Sequence, residues 1–249
     1  MNTNTIVREQ TIPLSQWGRV INVFFNPSRT FSDLRRNRSW WLPFLLTIVC
    51  SYTLTISAAA KVGFHQMTIN AINADPTSSA RVNEDVPPEQ REATIDTAET
   101  TLKVSTFVTP ALVLLYNVIY ALLLWVGLIV ATNASTDFAS IFAVLLYVDL
   151  IQDIRAIGST VVLFLTTDPH FFNIQNALGT NLGFYLDQNS SNWLRALSES
   201  LDVVTIWYLL LITLGCSIVG KITRASSAAV VFGLWSLIVI ARVAWAALS

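Results

Sequence analysis

The chain has 249 residues, of which 53% are hydrophobic and only 12% charged, and its formal net charge is −1. Long apolar runs and a mean hydropathy of +0.54 indicate a polytopic membrane protein. The near balance of charges leaves no basic excess of the kind that nucleic-acid-binding proteins carry. Cys50 and Cys216 both fall inside apolar runs, where we expect them to be small core residues.

Residues 1–39 precede the first apolar run and are predicted to form an amphipathic arm on the cytoplasmic side. Apolar residues recur at helical spacing between positions 14 and 25, and Asn26-Pro27 is typical of the start of a second short helix. Short helices with arginines next to a membrane span suit a surface of anionic lipid, although the same arginines could serve only to fix topology. The candidate lipid- or partner-binding residues of this arm are Trp17, Phe24, Arg29, Phe31, Arg35, Arg36 and Arg38.

Five apolar runs follow, each long enough for a helix that crosses a bilayer, which needs roughly 20 residues. Between them, we expect the hydrophilic segments 61–106 and 166–200 to be outer loops, the first with a helix that starts near Pro88 and continues into the second span. The sequence therefore predicts an all-α integral membrane helix bundle, with residues 40–249 as one five-span domain. The predicted spans are 40–60, 107–131, 138–165, 201–220 and 227–248.

The distribution of basic residues predicts the orientation of this domain. The arm carries six arginines and the short turn 221–224 has two basic residues, whereas segment 61–106 is net acidic. Because basic residues accumulate on the cytoplasmic side of membrane proteins, we expect a cytoplasmic N-terminus. Five spans then place the C-terminus outside.

The third predicted span differs from the others because it contains Asp149, Gln152, Asp153 and Arg155. Charged side chains at membrane depth are costly, so they face protein or water rather than lipid. We therefore expect this helix to lie at the centre of the bundle, with the other spans around it.

Two polar residues on other spans match this cluster in depth. At 1.5 Å per residue, Asp153 and Arg242 each lie about 23 Å from the cytoplasmic start of their spans, and Arg155 and Asp202 lie at about 26–27 Å. Two ion pairs are therefore predicted, Asp153–Arg242 and Arg155–Asp202. The six residues Asp149, Gln152, Asp153, Arg155, Asp202 and Arg242 form the candidate intramembrane polar cluster.

Asp149 has no obvious partner, and it stands one helical turn from Asp153. One interpretation is a proton or cation relay in a small transporter; the other is a satisfied polar cluster that specifies helix packing. The second is favoured, because transporters usually contain internal repeats or broken helices and no clear repeat is visible. No phosphate loop, nucleophile elbow or zinc-protease motif is present, so the sequence predicts neither an enzyme nor a cofactor or metal site.

Several short stretches occur in order along the chain: Phe-Asn-Pro-Ser-Arg-Thr-Phe at 25–31, Trp-Trp-Leu-Pro at 40–43, and Leu-Asp-Val-Val-Thr-Ile-Trp at 201–207, followed by Gly215, the Lys221 turn and residues 228–235. In their order and spacing, these stretches resemble the bacterial branch of the Yip (Ypt-interacting protein) membrane-domain family. The resemblance covers about residues 17–245. One departure is that family members often have a proline in the third span, where this chain has the Asp149–Arg155 cluster.

The resemblance implies a non-enzymatic protein, since eukaryotic relatives are similar to adaptors that engage Rab-type GTPases. We therefore expect a membrane scaffold, adaptor or accessory subunit in a bacterial cytoplasmic membrane, in contact with lipid and with a protein partner or a second copy. The alternative is a small proton- or ion-coupled transporter that uses Asp149 and Asp153.

Overall fold

The structure is a computed structural model that describes residues 13–74, 76–166, 172, 174, 176–187 and 190–248. Regular structure in these ranges is helical, with a π-helical turn at Arg81–Asp85, a short 3₁₀ helix at Leu182–Tyr185 and a single isolated bridge between Asn181 and Asp202. The α-helices are α1 (Gln16–Phe25), α2 (Pro27–Leu34), α3 (Trp41–Lys61), α4 (Phe64–Ala74), α5 (Pro76–Ala80), α6 (Pro88–Thr132), α7 (Phe138–Leu165), α8 (Asn192–Ser200), α9 (Val203–Gly220) and α10 (Arg224–Leu248).

Four of these helices, α3, α6, α9 and α10, are long and apolar enough to cross a membrane. Helix α7 has 28 residues, which is also long enough, but Asp149, Asp153 and Arg155 interrupt its apolar sequence. The all-α prediction is therefore confirmed for the described residues, with four candidate spans by length and composition.

Helix α7 lies at the centre of the bundle, as the sequence predicts. It packs against α3, α6 and α9 and also contacts both α1 and α2. Every residue from position 140 to 151 is buried, whereas the half of α7 after Asp153 exposes Ile154, Ile157, Val161 and Phe164. The polar cluster therefore begins inside the fully enclosed half of this helix and ends in the half that is open on one face.

The predicted outer loop 61–106 is largely helical. Helix α6 begins at Pro88, close to the predicted start, and continues without interruption through 45 residues to Thr132. That length corresponds to about 68 Å, roughly twice the thickness of a hydrocarbon core, so part of α6 extends beyond any membrane it crosses. Helix α4 lies in the connection between α3 and α6. It packs against α6 and so holds this connection against that helix.

Two polar turns meet at one end of the bundle. Helices α6 and α9 each end at a residue with left-handed backbone conformation, Asn133 (φ 53°) and Lys221 (φ 54°). The backbone N–H of Ser135 donates a hydrogen bond of 3.1 Å to the carbonyl of Gly220, which joins the two turns. The α6–α7 and α9–α10 connections therefore lie on the same side of the molecule.

The polar residue before α7 connects the arm to this same end. Asp137 accepts a hydrogen bond of 3.0 Å from the backbone N–H of Ser140, so it caps α7. Its carboxylate also pairs with Arg38 at 2.6 Å. The segment between α2 and α3 is thereby placed beside the two polar turns.

Helices α1 and α2 form a hairpin, with α1 packed on α2 and α7, and α2 packed on α9 and α7. The aromatic ring of Phe31 is fully buried in the main core. A Cβ atom added to Gly215 would lie 3.3 Å from that ring and 2.5 Å from a methyl group of Val144. The glycine in α9 therefore leaves the space that the hairpin fills.

Candidate functional site

The carboxylate of Asp149 lies inside the bundle between three helices. Asn117 of α6 donates a hydrogen bond of 2.8 Å to its Oδ2 atom, and the hydroxyl of Tyr208 in α9 donates one of 3.1 Å to its Oδ1 atom. The residue is only 8% exposed. Although the sequence offered no obvious partner, Asp149 has a donor on each oxygen, and both donors are neutral side chains.

Asp153 is held in a similar way from another side of α7. The hydroxyl of Thr47 in α3 donates a hydrogen bond of 3.0 Å to its Oδ2 atom, and the residue is 7% exposed. Its predicted ion pair with Arg242 is wrong. Arg242 instead pairs with Glu199 of α8, because α10 packs against α8, α9 and α6, while the hydrogen-bond partner of Asp153 lies on α3.

The second predicted ion pair is present. A guanidinium nitrogen of Arg155 lies 3.7 Å from Oδ1 of Asp202, whose side chain is 2% exposed against 30% for Arg155. Asp202 also caps α9 by accepting from the backbone N–H of Thr205 at 2.8 Å, and it accepts from the hydroxyl of Thr180 at 2.6 Å. The carboxylate of Asp202 therefore ties α7, α9 and the preceding loop together. Gln152, which is next to Asp153 in the sequence, is half-buried.

Two cavities border the cluster on its open side. The larger has a volume of about 1460 Å³ and lies between α4, α8 and α10, with Arg155 and Arg242 among its lining residues. The smaller has a volume of about 140 Å³ and is lined by Arg155, Ser159 and their neighbours. Neither cavity is lined by Asp149 or Asp153, so both reach only the end of the cluster.

The predicted arm residues divide between the core and the surface. Phe31 is completely buried, which corrects the expectation that it meets lipid or a partner; the space left by Gly215 accounts for this. Phe24 is half-buried, and its ring meets that of Trp207 edge to face at 6.5 Å. The exposed residues of the predicted set are Trp17, Arg29, Arg35, Arg36 and Arg38.

An ion pair inside the hairpin was missed by the sequence analysis. Nε of Arg19 lies 2.7 Å from Oδ2 of Asp33, and the two side chains are only 2% and 8% exposed. The hydroxyl of Thr30 donates a hydrogen bond of 3.1 Å to the carbonyl of Arg19, so α1 and α2 are joined twice. The available signal was a pair of opposite charges on either side of the Asn26-Pro27 reversal.

One group of potential metal ligands occurs among the described residues, at His65, Asp96 and Glu99, with ligand atoms within 4.8 Å of one another. Glu99 already pairs with Lys103 at 2.6 Å and with His65 at 3.0 Å. A lysine ammonium on the same carboxylate opposes a bound cation, so this group is a surface ion-pair network. It stands apart from the cluster on α7.

The fold and the cluster define a class, a helical membrane protein whose central helix carries an enclosed polar site. The Yip1 domain family matches residues 21–246, which is nearly the whole chain. The chain therefore belongs to the Yip1 family, as its sequence motifs indicated. Neither a curated protein nor a solved structure matches it significantly.

Proposed function

We propose that this chain is a non-enzymatic membrane scaffold or adaptor, acting as an accessory subunit of a larger membrane complex. In this proposal, residues 40–249 form one domain with five spans, and α7 is the third of them. The N-terminal arm lies on the cytoplasmic side, the C-terminus lies outside, and the membrane is a bacterial cytoplasmic membrane. The arginines of the arm and the basic turn at 221–224 support this orientation, because both adjoin the same end of the bundle.

The enclosure of Asp149 is the observation that carries the proposal. Both of its carboxylate oxygens accept hydrogen bonds from neighbouring helices, and residues 140–151 around it are buried without exception. A group of this kind specifies which helices pack together and at what register, since each donor must stay paired inside the membrane. The cluster therefore supports a rigid framework that presents its outer surfaces to lipid and to a partner protein.

The test is co-purification from native membranes in a mild detergent, with mass spectrometry of the proteins that remain bound. We expect a stoichiometric partner, or a second copy of the chain, that survives the Asp149→Asn substitution. Asparagine keeps the size and polarity of the side chain, so the bundle and its outer surfaces should persist. A chain that elutes as a monomer, alone with lipid, would contradict the adaptor proposal.

A proton- or ion-coupled transporter remains the second candidate, for one specific reason. Within the part of the chain that the structure describes, Asp149 and Asp153 receive hydrogen bonds from amide and hydroxyl groups and not from cations. Neutral groups of this kind can hold a carboxyl group in either protonation state. A pH-dependent ion flux in proteoliposomes that the Asp149→Asn variant abolishes would establish this function in place of the scaffold.

A further inference from the structure

Helix α1 differs from an amphipathic helix on the surface of a water-soluble protein, because large apolar side chains face outward and its charged side chain faces inward. Its outward face carries Trp17, Ile21 and Phe25, which are 59%, 56% and 84% exposed. Arg19, its one charged residue, points inward and is 2% exposed. We propose that the α1–α2 hairpin is embedded in the membrane, with this stripe of three residues among the acyl chains, and that Arg29 in α2 and Arg35 directly after it extend to anionic headgroups.

The stripe continues the lipid-facing surface of a candidate span. The ring of Phe24, next to Phe25, packs edge to face on Trp207 of α9. Trp207 and the adjacent Ile206 and Leu210 form an exposed apolar patch on a helix that is apolar enough to cross a membrane. Trp207 lies four residues, or about 6 Å, after the start of α9 at Val203 and 13 residues, or about 20 Å, before its end at Gly220. The contact with Phe24 therefore lies within the length of this candidate span, about one helical turn from its first residue.

The polar groups of the hairpin turn inward, as a hydrocarbon environment requires. Arg19 pairs with Asp33 at 2.7 Å, and Asn22 donates its side-chain N–H to the carbonyl of Gly18 at 2.7 Å. The side-chain oxygen of Gln16 accepts a hydrogen bond of 2.7 Å from the hydroxyl of Tyr147 in α7. The polar side chains of α1 are therefore paired within the protein, and its outward stripe needs no contact with water.

Helix α2 presents the complementary surface. Arg29, Ser32 and Arg35 are exposed, and Asp33, the acidic residue of this helix, is buried against Arg19. Arginine side chains can extend from an apolar level to the headgroup region, where each contributes about 1 kcal/mol of attraction to an anionic leaflet. An apolar stripe and a cationic face on one hairpin match the acyl and phosphate layers of such a leaflet.

This inference deepens the proposed function and rests on its orientation only to name the headgroups that Arg29 and Arg35 meet as cytoplasmic. The test uses the full-length protein in vesicles of neutral and anionic phospholipid. Spin labels are attached to Ile21→Cys, Phe25→Cys and Ser32→Cys variants in a background with Cys50→Ser and Cys216→Ala. Collision rates with oxygen and with a water-soluble nickel complex then report the depth of each label.

Labels at positions 21 and 25 are expected to favour oxygen, as a label at Leu45 on the exposed face of α3 should. The label at position 32 is expected to favour the nickel complex, as a label at the exposed Glu89 should. Nickel-accessible labels at 21 and 25 would overturn the proposal, because the stripe would then face water. Labels shielded from both reagents would also overturn it, because a protein partner or a second copy would then cover the stripe.

The headgroup preference is tested separately, with spin-labelled anionic and zwitterionic lipids that compete for the surface of the protein. Arg29→Gln and Arg35→Gln are each expected to lower the selectivity for the anionic lipid by about fivefold at low salt. Arg81→Gln, in the π-helical turn between α5 and α6, is the matched control and should change nothing. Unchanged selectivity in the Arg29→Gln/Arg35→Gln double variant would refute the anionic headgroup contact. Because no partner is present in these vesicles, failure here leaves the co-purification result standing.

Discussion

Two of the buried carboxyl groups in this molecule, one in the hairpin and one in α7, have different kinds of hydrogen-bonding partner. In the hairpin, Asp33 meets a full positive charge on Arg19 at 2.7 Å. In α7, Asp149 accepts hydrogen bonds from the amide of Asn117 and the hydroxyl of Tyr208, at 2.8 and 3.1 Å, and forms no ion pair with a cation among the described residues. Both carboxyl groups are less than a tenth exposed, so the difference lies in their partners and not in their burial.

The difference shows what each site tolerates. An ion pair in a low-dielectric interior is stable only while both members are present, since removing one leaves an isolated charge. The stability of a buried carboxyl group with neutral donors depends on the number of hydrogen bonds that it accepts. Losing one of them costs less than losing the counter-charge of a buried ion pair. The hairpin should therefore respond more strongly to single substitutions than the cluster on α7 does.

The largest effect is expected from Asp33→Asn, which leaves Arg19 buried without a counter-charge. We expect a loss of about 3–5 kcal/mol in the free energy of unfolding, measured through the thermal transition in detergent. Replacing both residues, as in Arg19→Met with Asp33→Leu, should restore most of that loss, because Nη1 of Arg19 already lacks a hydrogen-bond partner among the described residues. A double variant no more stable than Asp33→Asn would contradict the comparison.

An intermediate effect is expected from Tyr208→Phe, which removes one donor from Asp149 and keeps the aromatic ring. The loss should be about 1–3 kcal/mol, since one carboxylate oxygen is then buried without a partner. Tyr116→Phe is the matched control, because this tyrosine lies on α6 and is 58% exposed. If Tyr208→Phe destabilised the protein as much as Asp33→Asn, the two sites would not differ in the way described.

The smallest effect is expected from Arg38→Gln, which breaks an ion pair whose side chains are 49% and 46% exposed. Exposed pairs contribute about 0–1 kcal/mol, and salt weakens them further. The shift in thermal midpoint should therefore be small and should vanish at high ionic strength. Asp137→Ala should cost about 1 kcal/mol more, because it also removes the cap of α7.

The contrast between the two predicted ion pairs shows how far sequence reasoning reaches. Counting residues along apolar runs gives the height of a side chain in the membrane, and this sufficed for Arg155 and Asp202 because α7 and α9 are neighbours. It failed for Asp153 and Arg242, since height does not say which face of a helix meets which neighbour. Arg242 lies on α10, and its side chain pairs with Glu199 of α8.

Two short helices were predicted in the region of the hairpin, with the second starting at Asn26-Pro27, but their packing as a hairpin and as part of the core was not predicted. Helical spacing identified the apolar residues of α1 without indicating which of them face inward. The burial of Phe31 depends on the space beside Gly215, nearly two hundred residues away in the sequence. The burial of Arg19 depends on Asp33, which only the fold of the hairpin brings to it.

The separation between Phe31 and Gly215 also sets an order of events during synthesis. Arg19 and Asp33 are 14 residues apart, so the hairpin can close as soon as α2 has left the ribosome. The glycine that accommodates Phe31 is translated about 180 residues later, which at 5–20 residues per second is roughly ten to forty seconds. For that interval the nascent chain carries a closed hairpin without the helix that accommodates Phe31, and lipid that accepts Trp17, Ile21 and Phe25 would keep the hairpin from aggregating until α9 arrives.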